Sequence, residues 1–499
     1  MGGMSLKDAV RVFFLFLGLY LLTMGGHLYS PDEEIMFRTT QAIAEHGSFA
    51  IEPLVGFATK KGADGREYAQ YGIGQPLLAI PFYYMGKLLY TAFPTDKAPN
   101  WVSDTIQYHD YTPRDVMLRL GVSFFNQFIT ALLCATLFAF AFYVTRDRIA
   151  SWMTTLLFGL GTYAWVHSKP FFTEPLAALL TFGAFFLLFA GLNKNSMRRI
   201  IFAGTLYAYA LLVRMDSLFM LPGFLLMLIL ASAQKKEGIF KSHFIKTSIL
   251  FLAPLIGAVI ILVTLNKIRF GAFFRTGYED QAEGFKFSTP LLAGLFGFLF
   301  TAGRGLFFFS PPLVLAFFAF GRFFKHSRIL AIALLGCVLT FFLIQCKWQN
   351  WAGGWCWGPR HIYQIHIFLA LPIAFLFTAP RRLFIRCAFW AFLVTGLFVQ
   401  LYGCSENFID YYFEFFTSPQ TLPNNYNAWY IESGKFLDTT YGLYLLDKDG
   451  QPERRIPLHY IVSPIQNSIY YPQNSVWANY IIMLKMGRHD FFWLKLLTR

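Results

Sequence analysis

"QPLLAIPFYYMGKLLYTAFP", residues 75–94, is the stretch on which the topology of the chain turns. It is apolar enough to pass for a membrane span, since about 17–25 apolar residues in a helix cross a hydrocarbon core roughly 30 Å thick. If it crossed, every later turn would change sides. The Lys and Arg residues further along decide against that. With the N-terminus cytoplasmic and residues 75–94 left out, eleven spans fall near 10–28, 120–144, 150–166, 175–192, 200–213, 217–232, 247–265, 306–321, 329–345, 362–379 and 387–403. The inner turns then carry Arg146 and Arg148, next Lys194, Arg198 and Arg199, and next Lys235, Lys236, Lys241 and Lys246. After these come Arg322, Lys325 and Arg328, and finally Arg381, Arg382 and Arg386. Short cytoplasmic loops are the ones that collect Lys and Arg. A crossing at 75–94 would put all of these clusters outside. Residues 29–116 therefore read as one long external loop holding helices at the membrane surface, with Pro81 interrupting the apolar run.

Composition points the same way. Of 499 residues, 56% are hydrophobic, 14% are charged and 59 are Phe, against roughly 45–50% apolar and 25% charged in soluble domains. An ordinary soluble enzyme is excluded. The net charge of +14 does not signal nucleic acid, because the basic residues sit in short turns between apolar runs, where they report topology. The first run, Val10 to Leu28, follows Lys7 and Arg11 without a small-x-small cleavage site and reads as a retained span. The six Cys form no CxxC pair and have no His companions at metal spacing. Cys134, Cys337 and Cys387 lie in or beside apolar segments, as small core residues do. Cys346 and Cys356 flank one short loop, where an oxidising compartment would allow them to pair.

With this parity, stretches that look unrelated come out on one side. They are "YSPDEE" (29–34), "YAQYGIGQP" (68–76), "HSKPFFTEP" (167–175), "VRMDS" (213–217), "TAGRG" (301–305) and "GGWCWGPRH" (353–361). A charge at the centre of a span costs about 2.5–3.5 kcal/mol on insertion scales, so charged residues at span ends face a shared polar cavity. "YSPDEE" also has the form of a helix start, with Ser30 as N-cap, Pro31 at the first helical position and Glu33 at capping-box spacing. Asp32 and Glu34 then lie beside the positive end of the helix dipole. Beyond the last span, 404–499 is a polar, Tyr- and Asn-rich external region. Within it "LYLLDKDGQPERRI" reads as strand, turn, strand, and the Asp447-x-Asp449 pair as turn chemistry rather than a metal motif. The terminal "RHDFFWLKLLTR" reads as an amphipathic return to the membrane interface.

Six stretches carry a resemblance to a known family: "SPDEEIMFRTTQAIAEHGSFAI", "YAQYGIGQPLLAIPFYYMGKLL", "FFTEPLAALL", "LLVRMDSLFMLP", "GRGLFFFSP" and "GGWCWGPRH". In this order, over residues 1–403, the chain resembles the class-C (GT-C) membrane glycosyltransferases that use polyprenyl-phosphate sugars. Within that class it looks most like the branch of protein O-mannosyltransferases and lipid A aminoarabinose transferases. The resemblance implies an all-α polytopic transferase domain (1–403) whose first external loop holds juxtamembrane helices, followed by a small α+β region (404–499). It further implies a bacterial plasma-membrane protein with its site outside, a polyprenyl-phosphate sugar donor, contact with membrane lipids, and a lipid, glycan or protein acceptor.

The resemblance also suggests roles. An acceptor hydroxyl or amine needs a base, and the departing lipid phosphate needs positive charge. Asp32 matches the family's first-loop Asp and is the expected general base, with Glu33 beside it. Glu174 either orients the acceptor or assists Asp32, unless it is only a helix-start carboxylate. Arg360 with Arg304 is expected at the phosphate, helped by Arg214 or Lys169; an ion pair between Arg214 and Asp216 is the plainer reading of that pair. His361 and His167 are secondary candidates. Many relatives carry a Lys and paired prolines where this chain has Tyr68 to Pro76, so Tyr68, Tyr71 and Gln75 stand there as substrate-binding candidates and the phosphate role moves elsewhere. Some members use a divalent cation, which Asp32, Glu33 and Glu174 could bind, but no metal or other cofactor is expected. Two rivals remain: a transporter or flippase, for which the sequence shows no internal repeat, and a polymerase or ligase of lipid-linked glycans.

Overall fold

A computed structural model describes residues 6–52, 59–94, 112–234, 242–279, 286–354, 356–378, 383–408, 436–439, 442–446, 452–456, 477, 480 and 489–497. Among them, seven helical segments are long and apolar enough to cross a membrane: Pro113–Thr145, Glu174–Asn193, Met215–Gln234, Ser242–Phe270, Arg328–Lys347, Arg360–Phe377 and Leu383–Ser405. The other four expected spans fall on helices that are shorter or interrupted: Leu6–Leu22 (α1), Arg148–Gly161 (α6), Met197–Val213 (α8) and the broken run Leu306–Phe309, Leu315–His326. The reason is local in α6. The chain leaves the α-helix at Gly161, and residues 162–172 continue as buried backbone with one 3-10 turn, Val166–Ser168. At membrane depth such backbone is tolerated where protein surrounds it.

The long first loop begins with α2 (Pro31–His46), which stops at Gly47 in the left-handed region, φ 60°. A small antiparallel sheet follows, in the order β1 (Ala50–Ile51), β3 (Glu67–Ala69), β2 (Thr59–Lys61). Helix α3 (Gly74–Ala92) then runs through Pro81, which corrects the expectation of a break there. It packs on α4 (Pro113–Ser123), which opens with a Thr112–Asp115 capping box. The contact is close because both helices offer glycine: a Cβ on Gly121 would stand 2.4 Å from the Gly86 nitrogen. Small residues at crossings let membrane helices approach backbone to backbone. The same device joins α6 to α17 (Leu383–Ser405), where a Cβ on Gly396 would stand 2.6 Å from Gly161 Cα.

The centre is α7 (Glu174–Asn193), which packs against α5 (Phe125–Thr145) and α8. Phenylalanines fill it: Phe140 stacks on Phe186 at 4.5 Å, and Phe185 meets Phe224 and Phe368 edge-on. By contrast α10 (Ser242–Phe270) exposes Ile249, Ile256 and Ile260, the face a lipid-contacting helix would turn outward. In the C-terminal region, strands Phe436–Thr439, Gly442–Leu446 and Pro452–Ile456 pair antiparallel in sequence order. Asp447 and Asp449 lie outside the described residues. All six Cys are free, so Cys346 and Cys356 do not pair.

Candidate active site

The C-terminal ends of α1, α6, α8 and Arg328–Lys347 (α14) deliver the charged stretches to one place. Asp32, on the first turn of α2, accepts from Tyr71 Oη at 2.8 Å and from Arg360 Nη2 at 3.0 Å. Arg360 Nε is 3.9 Å from Glu174 Oε1, and Glu174 in turn accepts from Arg214 Nη1 at 2.7 Å. Arg214 closes the row on Asp216, 2.7 Å from its Nη2. The result is an alternating array, Asp32–Arg360–Glu174–Arg214–Asp216. Its side chains are not equally open: Asp32 is 25% exposed and Glu174 only 4%. A reactant can therefore reach Asp32 more readily than Glu174. Arg214 makes the expected ion pair with Asp216 and contacts Glu174 at the same time.

Glu33 has a different task. It is buried, and its Oε2 accepts from the amides of Phe171 (2.7 Å) and Tyr29 (3.2 Å) while Oε1 accepts from Ser30 Oγ (2.9 Å). This corrects the capping-box reading in one respect, since Ser30 makes no side-chain bond to the helix amides and donates to Glu33 instead. Its oxygens face the amides of Phe171 and Tyr29 and the Ser30 hydroxyl, so Glu33 stands outside the alternating array. Burial lifts the Glu33 carboxyl to about 8, and the three donors do not fully offset it. Glu34 pairs with Arg119 (Nε, 2.9 Å) and Arg38 (Nε, 2.9 Å), fixing α2 to α4.

Several expected phosphate ligands are engaged elsewhere. Lys169 Nζ bonds Asp490 Oδ2 (2.8 Å) and the carbonyls of Cys404 (2.6 Å) and Asp490 (3.0 Å). Arg304, 1% exposed, donates to the carbonyls of Gly303 (2.8 Å), Ala352 (2.7 Å) and Gly354. The Ala352 and Gly354 carbonyls belong to a turn in which Gly353 and Gly354 take positive φ (78° and 65°), which glycine adopts without a Cβ penalty. Arg304 thus shapes the loop that carries Arg360. Tyr68 donates to Asp64 at 2.7 Å and Gln75 to the Phe171 carbonyl at 2.7 Å, so neither joins the array. His361 adjoins Arg360, and its Nε2 has no hydrogen-bond partner among the described residues. His167 bonds the Trp357 carbonyl at 2.8 Å. Trp355 lies outside the described residues.

Some members of the site were not singled out from sequence. Gln345 and Gln364 donate to the two oxygens of Asp216, each at 3.0 Å. Arg269 Nη1 holds the carbonyls of Ala69 and Tyr71, both at 3.0 Å, and so sets the loop that presents Tyr71. Tyr278 packs edge-on against Tyr71. The Gln positions at span ends gave a faint signal, since a polar side chain there needs a partner. A cation fits poorly: Glu33 faces amide donors and the other two carboxylates are bridged by Arg360. Among the described residues no group of three or more His, Cys, Asp or Glu could hold a metal ion.

The helical layout has the GT-C fold. Three solved structures share it. The crystal structure of ArnT from Cupriavidus metallidurans bound to undecaprenyl phosphate aligns with a TM-score of 0.51 at 11% identity, over 85% of this chain and 68% of that one. The archaeal oligosaccharyltransferase AglB from Archaeoglobus fulgidus, with an inhibitory peptide and a dolichol-phosphate, gives 0.51 at 10% identity, over 90% of this chain and 61% of that one. The Archaeoglobus fulgidus oligosaccharyltransferase in the apo form gives 0.52 at 10% identity, over 95% and 63%. This chain thus spans less than two thirds of the oligosaccharyltransferases. No protein-family model matches the sequence, and no curated protein matches it.

Proposed function

We propose that the protein transfers a sugar from a polyprenyl-phosphate donor to an acceptor on the external face of the membrane. The observation that carries the reading is the Asp32–Arg360 pair, 3.0 Å apart, with the carboxylate still 25% exposed. A base and a cation side by side are what the two ends of the transfer require. Asp32 takes the proton of an acceptor O–H or N–H as that atom bonds to the anomeric carbon. The anomeric C–O bond to phosphate breaks and its electron pair leaves with the lipid phosphate, where Arg360 meets the developing charge. Arg360 Nε is buried, has no hydrogen-bond partner among the described residues, and faces Glu174 Oε1 at 3.9 Å. Glu174 and Arg214 hold Arg360 from behind, and the Phe172 ring lies 4.7 Å from the guanidinium. Undecaprenyl and dolichol phosphates bound to the structural neighbours support a carrier of this class here.

The four shorter helices are proposed to cross with the seven longer ones, the N-terminus lying inside and the site outside the plasma membrane of a bacterium. The acceptor is a lipid, a glycan or a protein. The test is transfer by purified protein from a polyprenyl-phosphate sugar to a panel of such acceptors, with Asp32→Asn alongside. Transfer that survives the substitution overturns the role of Asp32, and absence of transfer with every donor overturns the activity. Comparing lipid extracts of cells with and without the protein would name donor and acceptor together.

A further inference from the structure

Asp490 belongs to the region where the sequence gives no motif, yet it is 1% exposed and has more partners than any carboxylate of the charged array. Its Oδ2 accepts from Tyr29 Oη (2.6 Å) and Lys169 Nζ (2.8 Å), and its Oδ1 faces His27 Nε2 (2.8 Å) and Lys495 Nζ (3.2 Å). Its amide donates to the Ser405 carbonyl at 2.7 Å. A buried carboxylate is costly unless it is paired and hydrogen-bonded. Here burial is outweighed by Lys169, His27 and Lys495, which hold the carboxyl well below its ordinary range. Around it the last helix is docked on the end of α1: Phe492 N donates to the Met24 carbonyl (2.9 Å) and Trp493 Nε1 to that of Leu21 (2.8 Å).

The two residues gripped by Oδ2 flank the two segments that build the site. Tyr29 lies three positions before Asp32, and its amide reaches Glu33. Lys169 lies two before Phe171, whose amide reaches the same Glu33 oxygen, and five before Glu174. The α1 end is shaped for this docking. A Cβ on Gly25 would stand 2.0 Å from Tyr29 Oη and 2.8 Å from Asp490 Oδ2, and one on Gly26 (φ 75°) 2.3 Å from the Phe492 ring.

We propose that Asp490 is a positioning residue and that the segment 489–497 completes the active site in cis, locking the Tyr29–Glu33 and Lys169–Glu174 segments so that Asp32 and Glu174 meet Arg360 from opposite sides. The consequence for turnover rests on the transferase reading above; the lock itself does not. The experiment therefore has two arms on full-length protein, comparing wild type with Asp490→Asn, Lys169→Met and the double substitution. In hydrogen exchange, Asp490→Asn is expected to raise the exchange of peptides covering 29–34 and 169–174 at least tenfold while leaving those of 180–193 and α10 unchanged. Unchanged protection in 29–34 and 169–174 overturns the proposal whether or not the protein is a transferase. In the transfer assay, normalised to folded protein, the double substitution restores melting temperature by removing both buried charges, yet turnover stays at least tenfold down with KM for the donor within threefold of wild type. A double variant that turns over at the wild-type rate overturns the positioning role, leaving a charge pair that serves stability only.

Discussion

Replacing Asp32 by Asn separates chemistry from folding better than any other change in the site. The side chain is 25% exposed and its partner Arg360 15%, so the pair is screened and a partly exposed ion pair of this kind contributes about 0–1 kcal/mol. The loss of negative charge at the start of α2 adds roughly 0.3–1 kcal/mol. Asn keeps an acceptor for Tyr71, which bonds Oδ1 at 2.8 Å. The expected cost in stability is therefore about 1 kcal/mol, on the sum of those two small effects. Catalysis has no such substitute. Removing a positioned general base lowers turnover by about 10²–10⁴-fold, which corresponds to roughly 3–5 kcal/mol in the barrier. The assay is single-turnover transfer from a polyprenyl-phosphate sugar, normalised to the folded fraction measured by thermal melting. A variant that keeps more than a tenth of wild-type turnover, or loses it only in proportion to folded protein, would refute the reasoning, and Asp32 would then be a helix-start carboxylate.

Other expectations follow from the same geometry. Glu33 sits near 8 when folded against an ordinary 4.5, so the folded protein holds a proton that the unfolded chain releases over that window. Stability then falls as pH rises from about 4.5 to about 8, by up to roughly 1.4 kcal/mol per unit; Glu33→Gln should flatten this slope, and identical melting profiles for the two proteins would count against it. Arg214→Met leaves Glu174 with only Arg360 at 3.9 Å, so it should destabilise by about 3–5 kcal/mol, and adding Glu174→Gln should recover part of that in denaturation measurements. For topology, Cys387 is the only exposed native cysteine. In a Cys387→Ser background, Ala63→Cys should react with an impermeant maleimide from outside, and Lys194→Cys only after permeabilisation; the reverse pattern would invert the site.

The fold was legible because two independent signals coincide. Apolar runs mark helices, and the Lys/Arg asymmetry between their ends fixes which ends share a side, so Asp32 and Arg360 could be placed together although 328 positions separate them. Span number was less legible because hydropathy does not report where a helix stops. The apolar run from 150 to 166 reads as one span, but its last turns are unwound into the buried 162–172 backbone that carries His167 and Lys169. Apolar content persists there because that backbone is enclosed by protein. An apolar run does not distinguish a helix from irregular chain inside a core.

Within the site, what sequence conveys is which charges stand on one face, and what it withholds is which are already spent. Arg304, Lys169, Arg214 and Arg360 look alike as cations at external span ends, yet they divide into two kinds. Arg304 and Lys169 are at most 2% exposed, and a cation that deep must have its partners within the protein. Arg304 finds carbonyls of a turn with positive-φ glycines, and Lys169 finds Asp490, 321 positions away, in a segment with no motif to advertise it. Arg214 and Arg360, at 18% and 15%, remain partly exposed. The array they share holds three carboxylates against two guanidiniums, so its own charge does not favour an anion. Binding of a lipid phosphate at Arg360 therefore requires that a carboxylate give way. Asp32, the most open of the three acids and the one bonded to Arg360 at 3.0 Å, is the carboxylate best placed to turn from that cation to the acceptor's proton. Arg360→Lys tests this exchange: it keeps the charge but loses the planar fork that pairs first with Asp32 and then with a phosphate oxygen. Its expected effect is a rise in KM for the donor larger than its loss in turnover, and an unchanged KM would show that the phosphate is held elsewhere.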